Sequence, residues 1–235
     1  MRKTKSFRLV LIKPSHYGED GYVIRWWRGG LPSNSLACLY GIALDCRERK
    51  ILGADFDLNI EAIDETNRKV RVENLARSIK AADVGVVMLV GVQSNQFPRS
   101  LDIARQFRSR GIQVAMGGFH VSGTLSMLPE RDPGVREMMD LGVSVFAGEA
   151  EGRLEHLLKD AVAGELKPLY NFLDDLPQLE GQPLPIIPRR QIERVVGQTT
   201  SFDAGRGCPF QCSFCTIING RAASRGVERR TISKH

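Results

Sequence analysis

The run Gly85–Val92, GVVMLVGV, constrains the fold more than any other stretch of the 235 residues. It is apolar on both alternating faces, and a strand buried on both faces belongs inside a parallel sheet with helices on either side. The rest of the front of the chain supplies both partners. Phe7–Ile12 reads as a buried strand, Ala54–Leu58 as a weak one, and Gln113–Met116 and Val143–Ala147 as two more. Ser35–Arg49 has helical spacing through Leu36, Leu39, Tyr40, Ala43 and Leu44, with Ser33 or Asn34 as N-cap. Val72–Ala81, Pro98–Arg110, Arg136–Leu141 and Glu149–Ala163 complete the helices, the last ending at Gly164. Five alternations predict an α/β fold, a doubly wound, five-stranded parallel sheet over residues 1–165.

Such sheets take ligands at the carboxyl ends of their strands. Those ends are rich in small residues: Gly91 and Ser94 after the third strand, Gly117 and Gly118 after the fourth, Gly148 after the fifth. Glycine permits a tight turn or the close approach of a bulky group. Each one alone reads as a turn, but three such ends together point to a ligand site.

Five of the eleven prolines, Pro168, Pro177, Pro183, Pro185 and Pro188, fall within the next stretch. That density forbids a regular helix or central strand, so 166–198 is expected to be an extended connector lying on a surface. Charge is uneven across this boundary. Residues 189–235 hold nine Arg or Lys against three Asp or Glu, the whole of the net +6, and the remainder is balanced. A basic tail can mean nucleic acid, but these arginines show neither a nucleic-acid motif nor interleaved aromatics. Anionic groups on a cofactor or substrate, or acidic partners elsewhere, account for it as well. No apolar run approaches the roughly 18 residues of a membrane-spanning helix. Leu9–Ile12 is too short for a signal peptide, so a cytoplasmic location is expected.

The sharpest chemical clue is Cys208-Pro-Phe-Gln-Cys212-Ser-Phe-Cys215. Five cysteines in such a chain argue against a disulfide framework. Three thiolates at C-x3-C-x2-C are soft ligands for an iron–sulfur cluster, zinc or cuprous copper. Structural zinc wants four closed ligands, and no fourth Cys or His stands near. A 4Fe–4S cluster on three thiolates would leave one iron open to a small molecule.

This motif, with Phe214 at the aromatic position and Arg206-Gly207 leading into Cys208-Pro209, resembles the radical S-adenosylmethionine (radical SAM) superfamily. The resemblance implies that Cys208, Cys212 and Cys215 hold a 4Fe–4S cluster whose fourth iron binds S-adenosylmethionine, with Phe214 among the cofactor-binding residues. It also implies an external one-electron reductant of the flavodoxin or ferredoxin type. Residues 199–235 would be the beginning of a radical SAM (β/α) barrel. Several further units would be needed after Cys215, so the 235 residues alone are expected to have no turnover.

The front of the chain resembles the Rossmann/flavodoxin-like cobalamin-binding domain of one subgroup of that superfamily. The echoes are Gly117-Gly118-Phe119-His120 and Gly148-Glu149-Ala150-Glu151. The resemblance implies a cobalamin over the sheet's carboxyl edge, its nucleotide tail among the loops of Gly91, Gln93 and Ser94, of Gly117, Gly118 and His120, and of Gly148 and Glu149. Domains that supply a histidine to cobalt carry D-x-H-x-x-G after the first strand. Here Pro14 stands where Asp belongs and Glu19 where Gly belongs, so His16 is not expected to ligate cobalt. The activity implied is methyl transfer to an unactivated carbon of a small-molecule substrate, with no catalytic residue assigned. Two other readings stay open: a non-catalytic cobalamin-binding module with a vestigial cluster segment, and a zinc-bearing nucleic-acid-binding protein. Trp26-Trp27 follow the first strand, where a cofactor or second domain could cover them. Cys38 and Cys46 read as core or surface thiols remote from the cluster motif, and His156 as an exposed helical residue.

Overall fold

A computed structural model describes residues 4–128, 132–198, 205–206 and 228–229. Six parallel strands form one sheet in the order β2-β1-β3-β4-β5-β6. They are Lys5–Lys13 (β1), Phe56–Asp64 (β2), Val84–Leu89 (β3), Gln113–Gly117 (β4), Ser144–Ala147 (β5) and Leu169–Asn171 (β6). The helices that cover it are Asn34–Glu48 (α1), Val72–Lys80 (α2), Phe97–Arg108 (α3), Phe119–Met127 (α4), Pro133–Asp140 (α5) and Leu154–Ala163 (α6). A short helix, Arg189–Ile192 (α7), follows in the proline-rich stretch. Gly205–Arg206 and Glu228–Arg229 pair as two short antiparallel strands.

Two apolar layers flank the sheet because its central strands present buried side chains to both faces. Val10, Ile12, Val87 and Leu89 pack with Leu75, Ile79, Ile103, Phe107 and Met138 from α2, α3 and α5. Leu9, Leu11, Val86 and Met88 pack with Leu36, Ile42, Leu154 and Leu158 from α1 and α6. This is the doubly wound arrangement, consistent with a Rossmann or flavodoxin-like fold.

The strand count differs from the five expected. Leu169–Asn171 lies directly after Pro168, inside the stretch read as connector, and pairs with β5 in register Phe146↔Tyr170. Tyr170 is buried there and its hydroxyl donates to Asp160 at 2.7 Å. A proline before an edge strand costs no ladder bond, which is why the strand survives that composition. The stretch read as free of regular helix also holds the single turn of α7, Arg189–Ile192. Ile186 N–H donates to Ala37 C=O at 3.1 Å, laying the connector across α1. Strand β2 runs to Asp64, well past the expected Leu58. It is an edge strand whose polar side chains hid it: Glu61 pairs with Arg8 and Arg68, and Asp64 with Lys13. Helix α4 was not expected at all, since Ser122, Gly123, Thr124 and Ser126 give a weak apolar pattern. The beginning of a barrel, expected over 199–235, falls almost wholly outside the described residues.

Candidate functional site

The chain reverses direction across the sheet between β1 and β3, and a doubly wound sheet opens a crevice at such a point. A cavity of about 410 Å3 occupies the carboxyl ends of β3, β4 and β5 beside the start of α1. Its walls are mainly apolar, among them Leu39 and Ile42 of α1, Met88 of β3, Phe146 of β5 and Leu154 of α6. Asn34, Ser35, Ser122, Ser126, Glu149 and Glu151 are the polar and charged residues of the lining.

Of the residues singled out in the sequence, Gly91, Gly117, Gly118, Gly148 and Glu149 all line this cavity. Their glycines serve protein packing as well as access. Gly118 has φ +141°, and a Cβ there would overlap the backbone of Val92 and Gly91 in the neighbouring loop. Gly148, at φ +104°, would set a Cβ 2.9 Å from the Phe172 backbone, and Gly91 one 2.5 Å from Ser35 Cβ. Small residues therefore let the β3, β4 and β5 loops close on one another and on α1, and this closure shapes the cavity rim.

Gln93, Ser94 and His120 lie outside the lining. The Gln93 N–H donates to Gln96 Oε1 at 3.0 Å and opens the short helical turn Ser94–Gln96. His120 is in the first turn of α4, with Nδ1 3.2 Å from Ser94 Oγ and its ring 4.3 Å from the Phe97 ring. Its backbone N–H donates to Val92 C=O at 2.9 Å, tying α4 to the β3 loop. Burial lowers the His120 pKa below 6.5, opposed by the charge of Asp132. His16 does not line the cavity either; its carbonyl accepts from Ile24 N–H. His156 is exposed on α6. Phe214 and the three thiols Cys208, Cys212 and Cys215 lie outside the described residues.

Several lining residues were not assigned to the site from the sequence. Cys38 is buried in the cavity wall, one helical turn on from Ser35. Glu151 is more deeply buried than Glu149. Ser122 donates no periodic signal, yet its hydroxyl accepts from Gly148 N–H at 3.1 Å and joins two of the loops. Leu173 and Leu176, in the connector, close one side. Cys46, also on α1, is core: burial pushes its thiol up to about 11. Trp26 and Trp27 are not in the cavity.

No group of three or more His, Cys, Asp or Glu side chains is placed to hold a metal ion among the described residues. No helix among them is long and apolar enough to cross a membrane. No protein-family model matches the chain, and no solved structure does. Over 153 residues it is 31% identical to bacteriochlorophyllide d C-8(2)-methyltransferase of Chlorobaculum tepidum. That match covers 63% of this chain and 32% of the relative, so it spans about a third of the relative's length. The chain thus pairs a ligand-sized cavity at a doubly wound switch point with a distant likeness to part of a methyltransferase.

Proposed function

We propose that this chain is the cofactor-binding front portion of a cobalamin-dependent radical SAM methyltransferase. The observation that carries the reading is the cavity, framed by the glycines of three consecutive strand ends. Its 410 Å3 falls within the roughly 300–1,000 Å3 of small-molecule and cofactor pockets. Apolar walls suit the flat base of a nucleotide tail, and the seryl hydroxyls suit its sugar and phosphate. Methyl transfer by the relative supports the reaction class. In the sequence, the donor set of Cys208, Cys212 and Cys215 suits a cluster with one open iron.

When bound, cobalamin would supply a transferable methyl group, and the cluster the electron that opens S-adenosylmethionine to a 5′-deoxyadenosyl radical. The chain's own part is to bind and exclude. Gly91, Gly117, Gly118 and Gly148 keep the rim low enough for a large planar group to settle on it. Met88, Phe146 and Leu154 would keep water from the tail, while Ser35, Ser122 and Ser126 would offer it hydroxyls. Cys208, Cys212 and Cys215 would hold the irons as thiolates, and Phe214 is the residue of the motif that the resemblance assigns to S-adenosylmethionine. No histidine of this chain is assigned to cobalt. The substrate is a small molecule methylated at an unactivated carbon, and the electron comes from an external flavodoxin- or ferredoxin-type donor.

Anaerobic reconstitution with iron and sulfide tests the cluster half. The reading expects about four irons per chain on a three-thiolate site, lost on Cys212→Ala. Zinc near one equivalent without sulfide would overturn it and favour a zinc-bearing nucleic-acid-binding protein. Cobalamin binding without any cluster would favour the non-catalytic module.

A further inference from the structure

The loop from Pro14 to Ser33 places a patch on the surface that the cavity does not use. Trp26 is 66% exposed, Trp27 90% and Leu31 76%. Exposed Val196 adjoins them, because its N–H donates to Gly29 C=O at 2.9 Å while Gly29 N–H donates to Arg194 C=O. Large apolar side chains this exposed, on two segments joined by backbone hydrogen bonds, mark an interaction surface rather than ordinary surface scatter.

Charge narrows the partner. Arg25 and Arg28 bracket the tryptophans in sequence, and both are exposed. Trp26 N–H donates to Thr66 C=O at 2.7 Å, which brings the segment carrying exposed Lys69 beside the loop. None of these three basic residues has an ion pair among the described residues. Tryptophan and leucine flanked by arginine is the composition that settles at the boundary between lipid headgroups and acyl chains. Nucleic acid would use the arginines and could stack on the rings, but it has no use for Leu31 and Val196.

The loop is also held rigid, so its residues are displayed in advance of binding. Ser15 Oγ donates to Ile24 C=O at 2.5 Å, and Ser15 N–H to Glu65 Oε2 at 3.2 Å. Glu65, fully buried, is paired with Arg99 at 2.6 Å, and Tyr17 OH donates to Asp102 at 2.5 Å. A preorganised loop loses little conformational entropy on docking.

We propose that Trp26, Trp27 and Leu31, with Val196 beside them and Arg25, Arg28 and Lys69 around them, form a docking face for an anionic phospholipid bilayer surface. The face lies on the bilayer and does not cross it. This proposal is independent of the cofactor reading, and either can fail alone.

Both tryptophans of the chain lie in the patch, so intrinsic fluorescence reports on it without labelling. The full chain is mixed with vesicles of phosphatidylglycerol and phosphatidylcholine, or of phosphatidylcholine alone, and followed by sedimentation and emission. We expect co-sedimentation with the anionic vesicles, emission moving to shorter wavelength, and reduced quenching by acrylamide. Arg25→Gln and Arg28→Gln should each lower the partition coefficient about fivefold. Trp27→Ala should abolish the binding, and at its exposure it leaves the fold intact by circular dichroism. Four results would overturn the proposal: no binding to anionic vesicles; binding that these three variants leave unchanged; tryptophans already shielded without vesicles, meaning the chain itself covers them; or a single-stranded oligonucleotide bound in preference to vesicles.

Discussion

Gly118 has no room for a side chain. Its φ of +141° lies in a region that glycine alone adopts freely, and a Cβ would strike the Val92 backbone, which has nowhere to go. Gly118→Ala should cost about 3 kcal/mol or more in urea denaturation, strain and overlap together. Gly111→Ala is the matched control: φ is +72° with nothing near its Cβ, so only the backbone term of about 1 kcal/mol applies. Buried charge gives a second contrast. Arg99→Met leaves Glu65 buried without its partner and should cost about 3–5 kcal/mol, much of it recovered in the double variant with Glu65→Leu.

Titration at three sites, beside a Tyr17 likewise raised above 10.0 by burial, shapes the expected pH profile. Burial and the hydrogen bond to Asp160 raise Tyr170 from 10.0 to about 12, and burial raises Cys46 from 9.0 to about 11. Each favours the folded state while protonated, so their contribution is whole below pH 9 and is lost as pH climbs from 9 towards 12. His120 works in the opposite sense. Lowered by burial below 6.5, it contributes fully above 6.5, and that contribution disappears as pH falls through its folded value. Urea midpoints measured across pH should therefore fall at both ends, and Tyr170→Phe should flatten the part of the alkaline loss that lies between 10 and 12.

Among the elements, those with a buried apolar stripe were legible and those without were not. β3 could be read outright because both its faces are core, and α1 through its helical spacing and Ser33 cap, whose side chain accepts from Leu36 N–H. β2 carries its stabilising charges on an edge, α4 is built of small residues that face the cavity, and β6 is three residues beside a proline. The site divides in the same way. Its glycines stand out as a cluster at three strand ends, left-handed in backbone at Gly91, Gly118 and Gly148, whereas Ser35, Cys38 and Ser122 become site residues only through where α1 and α4 pack. Gln93, Ser94 and His120 sit in the right stretches yet bond to one another's turns outside the cavity. The connector depends on one such close approach. At Gly41 a Cβ would overlap the Leu184 carbonyl, so Gly41→Leu should push the connector off α1. Limited proteolysis should then cut within 177–188 much faster, while far-ultraviolet circular dichroism stays unchanged.

For the whole molecule, the sheet, the crevice and the surface patch assign separate tasks to separate regions. The six strands hold three glycine-bearing loops at one edge, the cavity opens among them, and the tryptophan loop follows β1 at the same edge, outside the cavity lining. Nothing in that division depends on the cysteine motif, so the cavity can be tested by itself. The most direct test of the cofactor reading is an anaerobic absorbance titration of the full chain with hydroxocobalamin. Saturable binding near one equivalent is expected, weakened when Ser126→Leu narrows the cavity. A chain shown to be folded that takes up no cobalamin would contradict it, leaving the sheet as a domain for some other ligand and the three thiols as the whole case for radical chemistry.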